Sequence, residues 1–391
     1  MAINKVLVVG GGTMGADIAR VVVKVNRQAV IKELNEELAE KAKEKVYAGI
    51  DRALTTGKID EQEANTQKSL LRVTHDFIGL DEPELLVIEA VPEKLDLKQR
   101  IFAELEQQLR EDAIFSSNTS SLPIKEIAKG LKNKSRLLGI HFFNPPTRMQ
   151  LVEIISSEFS NPNLVSEAEE FVQMDLQKSP IRVKDCPGFL MNRLLGAYLK
   201  PALAILEQRL IKPELIDKEA TSFGWPAGPF LLMDALGLDV CLEVMGILCD
   251  AYPDQFRPSR ILKLLVEKGR RGQKSGSGFY SYAEEAEPVL SLIKNNLSVL
   301  GEPDNSADSA KEVFEDEMNS LVNEAAICLE EGVASAEDIE KGCLLGIGFP
   351  MSKSGPLAWA NETGLSKILM RLKNPCVALE KMAKTNGRFP V

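Results

Sequence analysis

Histidine is nearly missing from this chain: two imidazoles, His75 and His141, serve 391 residues. The six cysteines, Cys186, Cys241, Cys249, Cys328, Cys343 and Cys376, form no Cys-x-x-Cys pair, so together with two histidines they give no zinc-site spacing and no metal is expected. They read as free thiols in a reducing compartment. No apolar run approaches the roughly 20 residues that a membrane-spanning helix needs. The N-terminus enters an apolar strand at once, without the basic and apolar regions of a signal peptide. A cytoplasmic location is therefore expected, and the sequon at Asn118-Thr-Ser120 carries no meaning for glycosylation. The net charge of -10 argues against general nucleic-acid binding, although helix N-termini and local lysines still suit anionic ligands. With 44% hydrophobic and 27% charged residues the composition is globular, and the length allows two or three domains.

What is present begins at the N-terminus. Lys5-Val-Leu-Val-Val9 suits a buried parallel strand, and Gly10-Gly-Gly12-Thr13-Met14-Gly15 leads from it into a helical stretch beginning at Ala16. Gly10 permits a tight turn, Gly12 lets backbone approach a pyrophosphate, and Gly15 allows close packing of helix on strand. A second strand, Ala29-Val-Ile-Lys-Glu33, ends in an acid 21 residues after Gly12. Glu33 can accept both ribose hydroxyls of an adenosine and would repel a 2′-phosphate, which favours NAD over NADP. Further strands at Leu85–Val91 and Ala113–Ser117, the first followed by a helical run from Leu95 to Arg110, predict a doubly wound, mainly parallel α/β sheet of the Rossmann type. Ligand groups are expected beyond the carboxyl ends of its strands, where Glu93, Ser120 and His141 fall.

His141 is followed twelve residues later by Glu153. A strand is predicted to end at Ile140 with His141 on the loop beyond it, and Leu151 to Ile155 to return as an apolar strand carrying Glu153. Imidazole has the side-chain pKa nearest neutrality and suits removal of a hydroxyl proton, while a carboxylate fixes its tautomer and stabilises the imidazolium. The other reading of such a pair is a hydrogen-bonded core histidine with a surface glutamate.

In order along the chain stand the glycine turn, Ile88-Glu-Ala-Val-Pro-Glu93, Ser117-Asn-Thr-Ser-Ser121, His141-Phe-Phe-Asn-Pro145, Leu151-Val-Glu-Ile-Ile155 and Lys184-Asp-Cys-Pro-Gly-Phe-Leu-Met-Asn192-Arg. With these motifs, nearly the whole chain resembles the L-3-hydroxyacyl-CoA dehydrogenase family. It is most similar to the dehydrogenase portion of multifunctional fatty-acid oxidation proteins, whose preceding hydratase/isomerase domain is expected to be absent here. The resemblance implies NAD-dependent, reversible oxidation of L-3-hydroxyacyl-CoA to 3-oxoacyl-CoA. It implies that His141 is the catalytic base and Glu153 its acidic partner. Ser120 and Asn192 would hold the substrate near the nicotinamide, Asn144 would contact it beside the histidine, and Glu93 and Lys98 would line the cofactor and substrate cleft. Plainer roles stand beside these: Asn144 capping the turn before Pro145, Asn192 beginning a helix, and Glu93 with Lys98 forming a charge pair at a solvated helix start. Glu33 where Asp is usual, and Pro146-Thr-Arg148 after the histidine motif, depart from the family pattern. Another β-hydroxyacid dehydrogenase, or a non-catalytic NAD-binding homologue, are the alternative readings.

Beyond Pro187 helical periodicity takes over, and the chain repeats itself. Leu206–Leu210, Ile216-Asp217, Phe223-Gly-Trp-Pro226, Gly228-Pro229 and Gly237-Leu238 recur as Leu329–Val333, Ile339-Glu340, Ile347-Gly-Phe-Pro350, Gly355-Pro356 and Gly364-Leu365. The basic, glycine-rich Arg270–Tyr282 reads as a solvated loop whose basic residues could instead meet a phosphate, Glu302–Asp308 as a linker, and Trp225 as core. The expected organisation is a nucleotide-binding domain at 1–183 followed by two related all-α domains at 184–283 and 309–391. The second copy lacks a glycine turn and a His/Glu pair, so it reads as scaffold. The resemblance implies that it replaces a partner subunit, giving a monomer with an internal pseudo-dimer; association with a separate enoyl-CoA hydratase is open.

Overall fold

The computed structural model describes residues 3–80, 83–283, 287–297, 304, 306–372, 374–385 and 387–391. The chain divides into two compact units, Met1–Cys186 and Pro187–Val391.

The first unit is built on eight strands: β1 (Lys5–Val9), β2 (Gln28–Lys32), β3 (Leu71–Thr74), β4 (Leu85–Glu89), β5 (Ile114–Ser117), β6 (Leu137–Phe142), β7 (Leu151–Ser156) and β8 (Ser179–Lys184). Their spatial order is β3-β2-β1-β4-β5-β6-β7-β8, and every pairing is parallel except β6 with β7. This is the doubly wound sheet expected from alternating strands and helices. Central strands such as β4 are buried along their whole length because helices cover both faces. One of these, Thr13–Lys24, packs Ile18, Ala19 and Val22 into the core. The connection from β3 back to β4 reverses the winding, so the switch point lies between the neighbours β1 and β4, and in such sheets ligands bind beyond the strand ends at that point.

The β6–β7 reversal has a local cause. Only residues 143–150 join the two strands, and a parallel crossover needs a dozen residues or more. The short connection therefore returns antiparallel, and in that register His141 stands directly opposite Glu153.

The second unit is helical. Its first copy contains helices Met191–Gln208, Pro213–Phe223, Pro229–Leu236 and Leu238–Ala251, and its second Ala307–Glu330, Ala336–Gly342, Pro356–Thr363 and Leu365–Leu369. Gly224 and Gly348 take positive φ at matching places, as do Gly237 and Gly364, so the duplication extends to the backbone. The copies pack reciprocally. A Cβ added to Gly224 would lie 3.2 Å from Pro350, and one added to Gly348 would lie 2.9 Å from Pro226. Contact of i with j and of j with i is the mark of a two-fold interface, here within one chain. Trp225 meets its counterpart Phe349 at that junction, with ring centroids 5.4 Å apart, and stacks on Tyr198. Both copies lie in one compact unit. Of the anticipated linker, residues 302, 303 and 305 lie outside the described residues, while Ser306 already caps the helix from Ala307.

The Arg270–Tyr282 segment is solvated only in part: Arg271, Gln273, Lys274 and Ser275 are exposed, but Arg270, Gly278 and Phe279 are buried. Asp234, 1% exposed, accepts hydrogen bonds from the backbone N–H groups of Phe279 and Tyr280, and Arg270 is buried with its guanidinium on the Gly278 carbonyl. A long-range acid at the end of a neighbouring helix holds it down, which local composition does not reveal.

Candidate active site

The glycine turn forms as its sequence requires. Gly10 adopts φ +97°, and a Cβ there would crowd the Ala90 carbonyl at 2.9 Å. A Cβ on Gly15 would sit 1.8 Å from the Gly10 carbonyl oxygen. Gly12 differs: a Cβ would meet nothing within 4 Å, so open space lies over the start of helix Thr13–Lys24. That helix has no side-chain cap and no acid in its first turn. An uncapped N-terminus beneath an open glycine, including the backbone at Thr13 and Met14, is an anion cradle of the kind that holds a pyrophosphate. Glu33 follows β2 and accepts the Gly11 N–H at 2.5 Å, which fixes its carboxylate beside the cradle. The residues therefore fit a dinucleotide.

Beyond β4 and β5 a charged network is built inward. Lys98 was expected to line the cleft, yet its side chain is 1% exposed. Its ammonium meets Glu89 at 2.7 Å, Glu93 at 3.1 Å and the Val91 carbonyl at 3.3 Å, which uses its three donors. Lys98 thus braces the Glu93 carboxylate. That carboxylate accepts the Ser120 and Ser121 N–H groups at 3.1 and 3.2 Å and the hydroxyls of Thr119 and Ser121, gathering the exposed Ser120 loop around itself. Burial opposes its charge, but the Lys98 ammonium and these hydroxyl donors hold the Glu93 carboxyl below its usual range. Glu89, which sequence reasoning passed over as the end of an apolar strand, anchors the whole through Lys98, the Val91 N–H and Ser117.

His141 is on β6 itself, not on a loop after it, because β7 pairs along the strand through Phe142 and the Asn118 side chain accepts the Phe142 N–H at 2.8 Å. Its Nδ1 lies 2.7 Å from Glu153 Oε2, with the two side chains 6% and 1% exposed. Directly opposed residues of an antiparallel pair project from the same face, so register alone brings acid and base together. Glu153 is therefore buried, in contrast to the surface glutamate of the plainer reading. An Nδ1–H donated to Glu153 leaves Nε2 as the ring's basic nitrogen.

The connection after His141 carries the exposed Asn144 and is clamped at its far end by Lys178. The Lys178 ammonium donates to the carbonyls of Pro146 and Met149, both at 2.7 Å. Burial, assisted by repulsion from Lys24, pushes it down to about 8. Nothing near Lys178 in sequence announces this role. In the helical unit, Asn192 begins helix Met191–Gln208 and lines an apolar cleft with Leu195, Leu199, Leu236 and Val240.

A switch-point sheet with an anion cradle, an acid after its second strand and a buried His–Glu pair defines the class of nucleotide-dependent dehydrogenases. The comparisons with known proteins give the family. Residues 5–186 match the model of the 3-hydroxyacyl-CoA dehydrogenase NAD binding domain, and residues 188–282 and 318–387 match the C-terminal domain of that family. The chain belongs to the 3-hydroxyacyl-CoA dehydrogenase family, and the cofactor of its first domain is NAD. Over 99% of its length it is 33% identical to the fatty acid oxidation complex subunit alpha of Shewanella frigidimarina, covering 56% of that protein. Its identity to the glyoxysomal fatty acid beta-oxidation multifunctional protein MFP-a of Brassica napus is also 33%, over 99% of this chain and 53% of that one. The chain thus spans about half the length of the curated relatives it matches. Among solved structures, 3-hydroxybutyryl-CoA dehydrogenase from Escherichia coli superposes with a TM-score of 0.86 at 27% identity, over 98% of this chain and 99% of that one. No helix among the described residues is long and apolar enough to cross a membrane.

Proposed function

We propose that this protein catalyses the NAD-dependent, reversible oxidation of L-3-hydroxyacyl-CoA to 3-oxoacyl-CoA. The observation that carries the reading is the buried His141–Glu153 pair at 2.7 Å, built into the sheet of an NAD-binding domain. When bound, NAD supplies the hydride acceptor. His141 Nε2 takes the proton of the substrate 3-hydroxyl, and Glu153 holds the ring in the productive tautomer and stabilises the imidazolium. Ser120 and Asn192 orient the hydroxyl and thioester carbonyl, with Asn144 contacting the substrate beside the base. Gly10, Gly12, Thr13, Met14 and Gly15 hold the pyrophosphate and Glu33 the adenosine ribose. Glu93 shapes the Ser120 loop, and Lys98 sets the position of Glu93. Fatty-acid β-oxidation is the metabolic setting that the named relatives support.

The test is formation of NADH, followed by its absorbance, with 3-hydroxybutyryl-CoA against free 3-hydroxybutyrate. CoA thioesters should be much the better substrates, because binding of the remote nucleotide part is used to orient the reacting carbon. Equal efficiency on the free acid would favour another β-hydroxyacid dehydrogenase. No turnover on either would favour the non-catalytic homologue.

The protein is a cytoplasmic monomer in this reading. The reciprocal Gly224–Pro350 and Gly348–Pro226 contacts support it, since the second copy occupies the surface that a partner subunit would otherwise cover. Light scattering at micromolar concentration checks it, and a stable dimer held through the first helical copy would refute it. Mixing with a separate enoyl-CoA hydratase in the same experiment tests for that association.

A further inference from the structure

The two helical copies treat one position differently. In the first, Asp217 accepts the N–H groups of Phe230 and Leu231 at the start of helix Pro229–Leu236, both at 3.0 Å. Tyr280 completes the arrangement by donating its hydroxyl to the same carboxylate at 2.7 Å. In the second copy, Glu340 takes the place of Asp217 and accepts the Ala358 N–H at 2.7 Å, at the start of helix Pro356–Thr363. Gly228 packs against Asp217, and Gly355 packs against Glu340 in the same way.

The segment that delivers Tyr280 also has a counterpart. Asp234 binds the Phe279 N–H at 2.8 Å, and the matching Asn361 binds the Phe389 N–H at 2.8 Å. Phe279 and Phe389 are buried alike, each 3% exposed. The residue after Phe279 is Tyr280, whereas the residue after Phe389 is Pro390, which has neither aromatic ring nor hydroxyl to offer. A cleft of about 810 Å³ lies at this place, walled by Leu344, Leu345, Ala358 and Pro390, with Glu340 among its lining residues. Glu340 is 8% exposed; its Oε1 takes the Ala358 N–H, where the matching Oδ2 of Asp217 takes both the Leu231 N–H and the Tyr280 hydroxyl, while its Oε2 packs on Gly355 without a hydrogen-bond partner. A buried carboxyl with fewer hydrogen bonds than its counterpart has a deficit that a ligand donor would recover in part.

We propose that the Glu340 cleft is a binding site for a phenolic group, an apolar ring whose hydroxyl donates to the Glu340 carboxyl as the Tyr280 hydroxyl donates to Asp217. The ring would rest on the leucine and proline walls. The group can be borne by a small molecule or by a tyrosyl side chain, and both offer the same chemistry.

The experiment titrates the full chain with 4-ethylphenol, 4-ethylanisole and N-acetyltyrosinamide, read by ligand-observed NMR. For a fragment of this size saturable binding is expected at roughly millimolar concentration. 4-Ethylanisole, which has the ring but no donor, should bind about tenfold more weakly or worse. Tighter binding of N-acetyltyrosinamide than of 4-ethylphenol assigns the ring to a polypeptide, and the reverse to a small molecule. The variant Pro390→Tyr places a phenol in the cleft from within the chain. It should raise the melting temperature, weaken 4-ethylphenol binding at least about tenfold and leave NADH formation unchanged. Equal binding of the phenol and its methyl ether, unchanged affinity in Pro390→Tyr, or no saturable binding would each overturn the proposal.

Discussion

The two units differ in how completely they partner their buried polar groups. In the nucleotide-binding unit Glu89, Lys98, His141, Glu153 and Lys178 are all deeply buried, and each meets a partner of matching chemistry. In the helical unit, side-chain atoms of Tyr198, Glu317, Ser320, Glu324 and Glu340 are buried without a hydrogen-bond partner, and among the described residues every such atom lies in this unit. Isolated buried carboxylates avoid their desolvation cost by remaining protonated. Burial accordingly drives Glu317 well above its ordinary range, with repulsion from Asp217 and Asp316 adding to it. A partnered side chain is held in one place, as catalysis requires, whereas a neutral acid packs as a polar filler. Substitutions should therefore have their largest effects in the first unit.

The greatest loss is expected at the base. His141→Ala should lower kcat on the order of 10²- to 10⁴-fold while NAD binding persists, because it removes proton transfer and not the cradle. Glu153→Gln should follow with a smaller loss. Steady-state kinetics with NAD-binding fluorescence reads both, and a folded His141→Ala enzyme of near wild-type kcat would break the assignment. Next comes Lys98→Met, which leaves Glu89 and Glu93 facing each other without their cation. Unpairing a buried charge should destabilise the unit by about 3–5 kcal/mol. The matching change in the helical unit, Glu317→Gln, swaps a neutral acid for a neutral amide and should shift stability much less. Equal shifts in denaturant titrations would erase the contrast.

A smaller effect is expected at Glu33. Glu33→Ala loses charge-assisted acceptance from the ribose and the repulsion of a 2′-phosphate together. The ratio of kcat/KM for NAD over NADP should fall roughly ten- to a hundredfold, as for a lost hydrogen bond to a charged group. A wild type preferring NADP would refute the role.

These residues were not equally visible before folding. Gly10, Gly12, Gly15 and Glu33 stand out because a turn, a close approach and a strand-end acid leave local marks in the order of residues. His141 and Glu153 were found by rarity and residue type, but their direct opposition depends on the register of β6 with β7, which no local pattern states. The burial of Lys98 is equally hidden: a lysine in the first turn of a charged helix looks solvated, and its partners Glu89 and Glu93 come together only when β4 and the following turn fold over it. Lys178 contacts carbonyls 29 and 32 residues away, so its clamp has no signature in sequence at all. The duplication was plain from repeated Gly-Pro pairs, yet its consequence, Trp225 packed on Phe349 across a pseudo-two-fold, is tertiary.

The smallest effect separates the units by pH. Burial raises Glu340 to about 7, against the opposing pull of the Ala358 and Leu357 N–H groups. Burial likewise raises Asp217 to about 6, against Tyr280 and the Phe230 and Leu231 N–H groups. A folded state whose acids hold protons more tightly than the unfolded chain loses stability as pH rises between the two pKa values. For Glu340 that window runs from 4.5 to about 7, and for Asp217 from 3.8 to about 6. Helical-unit stability should therefore be highest near the acid end of these windows and decline toward neutrality. Among the described residues, Glu337 and Lys341 line the same cleft as Glu340, and the buried Cys343 thiol feels its charge. Glu340→Gln keeps an acceptor for the Ala358 N–H but cannot ionise. It should flatten the upper part of the decline, leaving the part due to Asp217. Thermal melts from pH 4.5 to 7.5, followed by tryptophan emission, read this: of the two tryptophans Trp225 is buried in the helical unit and Trp359 lies there too. A melting temperature that climbs with pH across this range, or a Glu340→Gln profile parallel to wild type, would show that the helical unit pairs its acids as the nucleotide-binding unit does.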